Sequence, residues 1–220
     1  MVHGVGMKEV GRIGKAFFRQ IEHCPKEEIF GICEELWRSR YLEEAVVACI
    51  FSEWLHKRYE PADFRVFEGW VERYVTNWTA CDTLCNHTVG TFVTIYPEFP
   101  GELKRWAGSP GRWMKRAAGT LIVPARKGLF LNEIFGIADI LLTDQDDMVR
   151  KGCGWMLKAA SEAHEREVFD YAVPYKAVMP RTALRYAIEK MPSELRAVAI
   201  KSSARLLCTE ACRRARFGSR

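Results

Sequence analysis

Apolar residues recur along this chain at helical spacing, and the two-residue alternation of half-buried strands is nearly absent. Val10, Ile13, Phe17, Phe18 and Ile21 form one stripe between Lys8 and His23, and Phe30, Ile32, Cys33, Leu36 and Trp37 form a second between Glu27 and Arg38. Further helices are expected over Leu42 to Lys57, Phe64 to Val75, and from near Trp78 to Pro97. Start signals in the second half are local. Ser109-Pro110 offers a capping hydroxyl before a proline suited to a first turn, and Asp144, Asp146 and Asp147 place acids where a helix dipole favours them. Pro180 and Pro192 open short helices in the same way. The pattern gives roughly eleven or twelve helices of about 10–18 residues joined by short loops, an all-α fold.

Breaks fall about every 35–40 residues, near Tyr59-Pro61, Pro97-Pro100, Gly128, Asp144 and Pro180. That is the length of a paired-helix solenoid repeat, yet no fixed motif recurs at a fixed offset. From periodicity alone, degenerate helical repeats and a compact bundle stand equal. A solenoid would carry the basic second half along one concave face.

With 220 residues, the chain is expected to be one domain over 1–220. Its 48% hydrophobic and 28% charged residues exclude a disordered chain. The run Ala45 to Phe51 is too short to span a bilayer, and no secretory signal opens the sequence, so a cytoplasmic protein is expected.

Net charge is only +5, but it is unevenly placed: residues 1–110 carry 13 basic and 16 acidic side chains, the rest 20 and 12. Between Leu103 and Asn132 there is no acid against seven bases, Lys104, Arg105, Arg112, Lys115, Arg116, Arg126 and Lys127. Such a segment suits a polyanion, and equally a solvated basic face. Arg205 to Arg220, with Arg213, Arg214 and Arg216 clustered, reads either as a basic flexible tail or as added electrostatic affinity.

Eight cysteines raise the question of metal, but no pair has C-x-x-C spacing. Cys81/Cys85 and Cys208/Cys212 stand four apart, and His87 adds a third potential ligand to the first pair with no evident fourth. No metal site is expected; small buried hydrophobes in helix interfaces are the better reading.

Three segments carry candidate chemistry. In Asn77-Trp78-Thr79-Ala80-Cys81-Asp82, an indole and a carboxylate four apart share a helix face, an arrangement suited to a cationic ligand or to a core tryptophan beside a surface aspartate. In Trp113-Met114-Lys115-Arg116-Ala117-Ala118, small residues after Arg116 let a helix or a phosphate backbone come close. In Lys151 to Lys158, Gly152 and Gly154 each cost about 1 kcal/mol relative to alanine in a helix, so close approach is expected there.

These segments, with Pro180-Arg181-Thr182-Ala183-Leu184-Arg185-Tyr186-Ala187-Ile188-Glu189-Lys190, resemble the AlkD-type DNA alkylation repair proteins. The quoted motifs are Asn77-Trp78-x3-Asp82, Lys115-Arg116-Ala117-Ala118 and Lys151-x2-Gly154-Trp155-x-Leu157, and their separations fit as well. The resemblance runs from about Val2 to Ala204. It implies a curved stack of HEAT-like repeats gripping duplex DNA, and a monofunctional glycosylase releasing cationic N3- or N7-alkylated purines. By position, Trp78 and Trp155 would be aromatic walls, Asp82 the catalytic carboxylate and Arg116 a phosphate or backbone contact. Arg112, Lys115, Lys151 and Lys158 are expected to face DNA with it.

No cofactor is implied, nor a deep purine cavity, and a monomer that becomes nucleoid-associated when bound to DNA is expected. Family members usually carry one or two further N-terminal helices, so the resemblance implies a shortened start. The alternative is a helical-repeat protein that binds DNA by backbone and shape without catalysis.

Overall fold

A computed structural model describes residues 1–176 and 178–200. Fourteen α-helical segments and no strand are present among these residues: α1 (Met7–Ile21), α2 (Lys26–Arg38), α3 (Leu42–Trp54), α4 (Asp63–Tyr74), α5 (Trp78–Thr83), α6 (Gly90–Ile95), α7 (Pro100–Ala107), α8 (Arg112–Ala118), α9 (Ile122–Arg126), α10 (Leu131–Leu141), α11 (Asp147–Ser161), α12 (Glu165–Tyr175), α13 (Arg181–Ala187) and α14 (Ser193–Ile200). A π-helical turn, Leu84–Val89, joins α5 to α6 without a break, so 78–95 is one helix with a widened middle. No helix among the described residues is long and apolar enough to cross a membrane. The Arg205 to Arg220 tail and the Cys208/Cys212 pair lie outside the described residues.

The fold is a helical-repeat solenoid. One layer runs α1, α3, α5, α8, α11, α13, each packed on the next. The other helices back it: α2 and α4 pack together, α7 bridges α8 and α10, and α12 bridges α11 and α14. Repeats therefore exist in three dimensions although no motif marks them in the sequence.

What recurs is a set of links between neighbouring repeats. Trp70 Nε1 donates to Glu34 (2.9 Å) and, one repeat on, Trp106 Nε1 donates to Glu68 (2.7 Å). Burial opposes the charge of both glutamates. Tyr74 and Trp70 around Glu34, and Arg65, Trp106 and Arg105 around Glu68, more than offset it and hold both below the usual carboxylate range. Trp37 occupies the corresponding place in the first repeat, and its buried Nε1 has no partner among the described residues. Between these two links Thr88 meets Ser52 (2.8 Å), and farther along His164 meets the Gly128 carbonyl (3.0 Å), both pairs 36 residues apart.

The core changes character along the stack. Phe30, Phe64, Phe67, Trp70, Phe92 and Trp106 interlock by edge, tilted and stacked contacts in the first half. Around α8 and α11 the core is built from small residues, Ala117, Ala118, Cys153, Ala159 and Ala160, all buried. Large rings fill space between helices there, whereas small residues let backbones approach.

Two local expectations are corrected. Ser109-Pro110 does not open a helix: the Ser109 amide still closes α7 by donating to the Trp106 carbonyl, and α8 starts at Arg112 with Gly111 as its cap. Several central helices are also shorter than expected, α9 being five residues. Gly119 ends α8 where the backbone of α11 arrives, and a Cβ on it would lie 3.1 Å from the Cys153 nitrogen. The acidic cluster behaves as read: Asp146 caps α11 by accepting from the Met148 amide (2.9 Å).

Candidate active site

The start of α5 is fixed by Asn77, whose side chain accepts from the Ala80 amide (2.9 Å). That cap makes Trp78 the first helical residue and sets Asp82 one turn later on the same face. Trp78 is 55% exposed, so it is not a core tryptophan. Asp82 is 8% exposed and lies at the floor of the same face.

Arg116 on α8 reaches Asp82 across the layer. Its Nε and Nη2 donate to the two carboxylate oxygens at 2.8 and 2.7 Å, and Nη1 donates to the Met148 carbonyl at 2.6 Å. This two-point pairing holds the carboxylate in one orientation. Burial opposes the guanidinium charge, and Asp82 more than compensates, so the Arg116 pKa lies above its ordinary value. Gly152 of α11 passes directly over Arg116, 3.4 Å from a Cβ position to Arg116 Cγ. The small residues after Arg116 therefore admit a helix.

From α11, Met148, Lys151, Trp155 and Lys158 enter the same cleft at helical spacing, and Tyr186 enters from α13. Trp155 is half-buried; it lines the opening instead of forming the centre of the helix packing. Gly154 explains the α13 side, because a Cβ there would lie 2.8 Å from Tyr186 Cβ and 2.9 Å from the Ala183 carbonyl oxygen. The cleft is open and encloses about 480 Å³. Trp78, Asp82, Arg116 and Trp155, from three helices, thus converge.

The basic residues that flank this group each meet an acid. Arg112 Nε lies 2.5 Å from Asp146, and Lys115 Nζ 2.7 Å from Asp144. Burial disfavours the charge of both aspartates, but their cationic partners prevail and lower both pKa values. Lys151 pairs with Asp147 (2.7 Å), which raises the lysine pKa, and Lys158 pairs with Glu189 (2.8 Å). Within the acid-free stretch, the loop that begins α11 thus meets Arg112 and Lys115, while Arg105 is met by Glu68, Arg116 by Asp82 and Arg126 by Glu162.

His87 does not join Cys81 and Cys85. It faces Glu53 (3.2 Å), whose hydrogen bond raises the imidazole pKa, while both cysteines are buried. Among the described residues no three histidine, cysteine or acidic side chains form a metal-binding group. A larger groove of about 1190 Å³ adjoins the cleft, sharing Lys151 and Tyr186 with it. Two cleft residues had not been singled out from the sequence. Met148 follows from the spacing 148, 151, 155, 158 on one helix face, and Tyr186 sits inside the quoted Pro180 to Lys190 segment.

Comparison with known proteins gives a family and a structural neighbour. The family model described as "DNA alkylation repair enzyme" matches residues 1–191. A solved structure titled as a predicted DNA alkylation repair enzyme from Enterococcus faecalis superposes with a TM-score of 0.77 at 17% identity, covering 86% of this chain and 88% of that one. No curated protein matches the chain.

Proposed function

The chain belongs to the family of DNA alkylation repair enzymes, and from that premise we propose that it is a DNA glycosylase hydrolysing the N-glycosidic bond of cationic N3- or N7-alkylated purines in duplex DNA. The observation that carries this reading is the convergence of Trp78, Asp82, Arg116 and Trp155 on one open cleft.

An alkylated purine is already a cation and a good leaving group. As its bond to C1′ breaks, positive charge develops on the sugar. Asp82 is a fixed anion that stabilises this charge and orients the attacking water, as carboxylates do in glycoside hydrolysis. Water supplies hydroxyl to C1′, the proton it loses passes to Asp82 or to solvent, and the bond electrons leave with the purine. The exposed indole of Trp78 and that of Trp155 present π-faces to the sugar, where cation–π attraction grows as charge develops.

Arg116 acts here through Asp82. Three of its donors are spent inside the protein, so it serves as a positioning residue that keeps the carboxylate aimed. A cleft this open favours attack on a base that is not swallowed whole, and the reaction needs no cofactor. Arg112, Lys115, Lys151 and Lys158 would face the duplex as a monomer binds it, the two α11 lysines exchanging exposed carboxylates for phosphates.

One observation favours the alternative, a non-catalytic binder of DNA backbone and shape. Arg116 neutralises Asp82 at close range, which weakens its field at C1′. Methylated duplex DNA separates the two. Release of free 7-methylguanine or 3-methyladenine, lost in Asp82→Asn with duplex affinity kept, is the expected result. Full release by that variant refutes the role of Asp82, and absence of release by the wild-type protein favours the binder.

A further inference from the structure

Opposite Asp82, the cleft has a wall without an assigned role. Tyr186 is half-buried there, and its hydroxyl meets no hydrogen-bond partner among the described residues. Lys158 Nζ lies over its ring, 5.9 Å from the centroid. Lys151 lines the same wall. Both lysines are held by carboxylates that remain substantially in water: the side chain of Asp147 is 58% exposed and that of Glu189 is 49% exposed. Exposed ion pairs of this kind contribute little and exchange readily.

The Asp82–Arg116 pair is different. It is buried, doubly hydrogen-bonded and neutral as a unit, so it neither offers a cation to a phosphate nor repels one. The cleft is therefore asymmetric, with its releasable positive charge on the α11–α13 wall, beside the Tyr186 hydroxyl. Gly154 reinforces this, since the residue at that position must lack a Cβ for α13 to bring Tyr186 close.

We propose that Tyr186, Lys151 and Lys158 form the phosphate-binding wall of the cleft. The Tyr186 hydroxyl donates to a non-bridging oxygen of the phosphodiester next to the damaged nucleotide, and the two ammonium groups leave Asp147 and Glu189 for the same phosphate. Tyr186 is a substrate-binding residue in this arrangement. The proposal rests on the reading of the cleft as a site for damaged duplex DNA, but not on catalysis.

Binding of the full chain to a duplex carrying a tetrahydrofuran abasic-site analogue, followed by fluorescence anisotropy, tests it. Tyr186→Phe keeps the ring and removes only the donor, and circular dichroism confirms its fold. It is expected to weaken binding roughly tenfold, the loss of one hydrogen bond to a charged acceptor. That loss should vanish when a neutral methylphosphonate replaces one of the two phosphates flanking the analogue. The salt dependence should be unchanged in Tyr186→Phe, because a phenol releases no counterion, and should fall by about one in Lys151→Gln.

Wild-type affinity in Tyr186→Phe, or an equal loss on both methylphosphonate duplexes, overturns the proposal. A wild-type protein that binds this duplex yet releases no methylated base overturns the glycosylase reading and leaves the binding comparison decisive for Tyr186. One that does not bind it overturns both.

Discussion

Gly152 and Gly154 stand two residues apart on α11, both buried, yet the same substitution should move stability in opposite directions. Glycine to alanine in a helix interior gains about 1 kcal/mol from propensity alone. At Gly152 the added methyl would meet Arg116 Cγ at 3.4 Å, the Arg116 carbonyl oxygen at 3.6 Å and Nη1 at 3.8 Å, all ordinary contacts. Most of the gain survives, and Gly152→Ala should raise Tm by about 2–4 °C, the shift expected per kcal/mol for a chain of this size.

At Gly154 the methyl would lie 2.8 Å from Tyr186 Cβ, 2.9 Å from the Ala183 oxygen and 3.0 Å from Ala183 Cα. None of these is the free end of a side chain, so no rotation relieves the clash and α13 must move as a body. Overpacking of this sort costs about 1–3 kcal/mol. Set against the helix gain, a loss of up to about 2 kcal/mol remains, a fall in Tm of several degrees. Scanning calorimetry of the two variants beside the wild-type protein decides it. Equal shifts, or a Gly154→Ala variant at least as stable as Gly152→Ala, would refute the claim that close approach of α13 is what this glycine provides.

Two further outcomes concern the first repeat. Trp37→Phe removes a buried donor that has no acceptor, whereas Trp70→Phe breaks the bond to Glu34, so urea denaturation should show Trp70→Phe as the more costly by about 1–3 kcal/mol; equal losses would deny the inter-repeat bond any weight. The second is a pH effect on residues 3–5, whose amides donate to Glu43. The His3 amide above all lowers the Glu43 pKa from 4.5 to about 2. A depressed carboxylate contributes its stability above the unfolded value and loses it as pH falls through the folded one. Protection of the His3, Gly4 and Val5 amides, their NMR exchange rates divided into those of an unstructured peptide at the same pH, should therefore be kept at neutral pH and lost between about 4.5 and 2; protection that does not change with pH would count against the Glu43 anchor.

Helices were legible in the sequence because the apolar stripes of α1 and α2 face a core on one side only, which imposes helical periodicity on the residues themselves. The boundary at Ser109-Pro110 was not, because which carbonyl the Ser109 amide chooses depends on how α7 ends. Repeats escaped for a related reason: the links that recur, Trp70 to Glu34 and Trp106 to Glu68, join residues far apart and tolerate shifts of a position or two. Within the site, Trp78 and Asp82 could be placed on one face from a four-residue spacing. That Arg116 would be consumed by Asp82 and Met148 could not, since a basic segment has the same composition whether its charges face solvent or one another.

The cleft draws one helix from each of four successive places in the same layer, α5, α8, α11 and α13, and no loop connects its two walls directly. Its width is thus the accumulated thickness of the helix contacts between them, like the gap of a calliper whose jaws are set by the links of the beam. Those links are short and hard at Gly119, Gly152 and Gly154, where backbones touch and side chains have little room to give. A substitution far from either tryptophan, at any of these contacts, resets the gap. For the same reason a nucleic acid entering it meets jaws already fixed, so that the bending needed for a close fit falls on the duplex, and sequences or lesions that soften the duplex are the ones it should hold best.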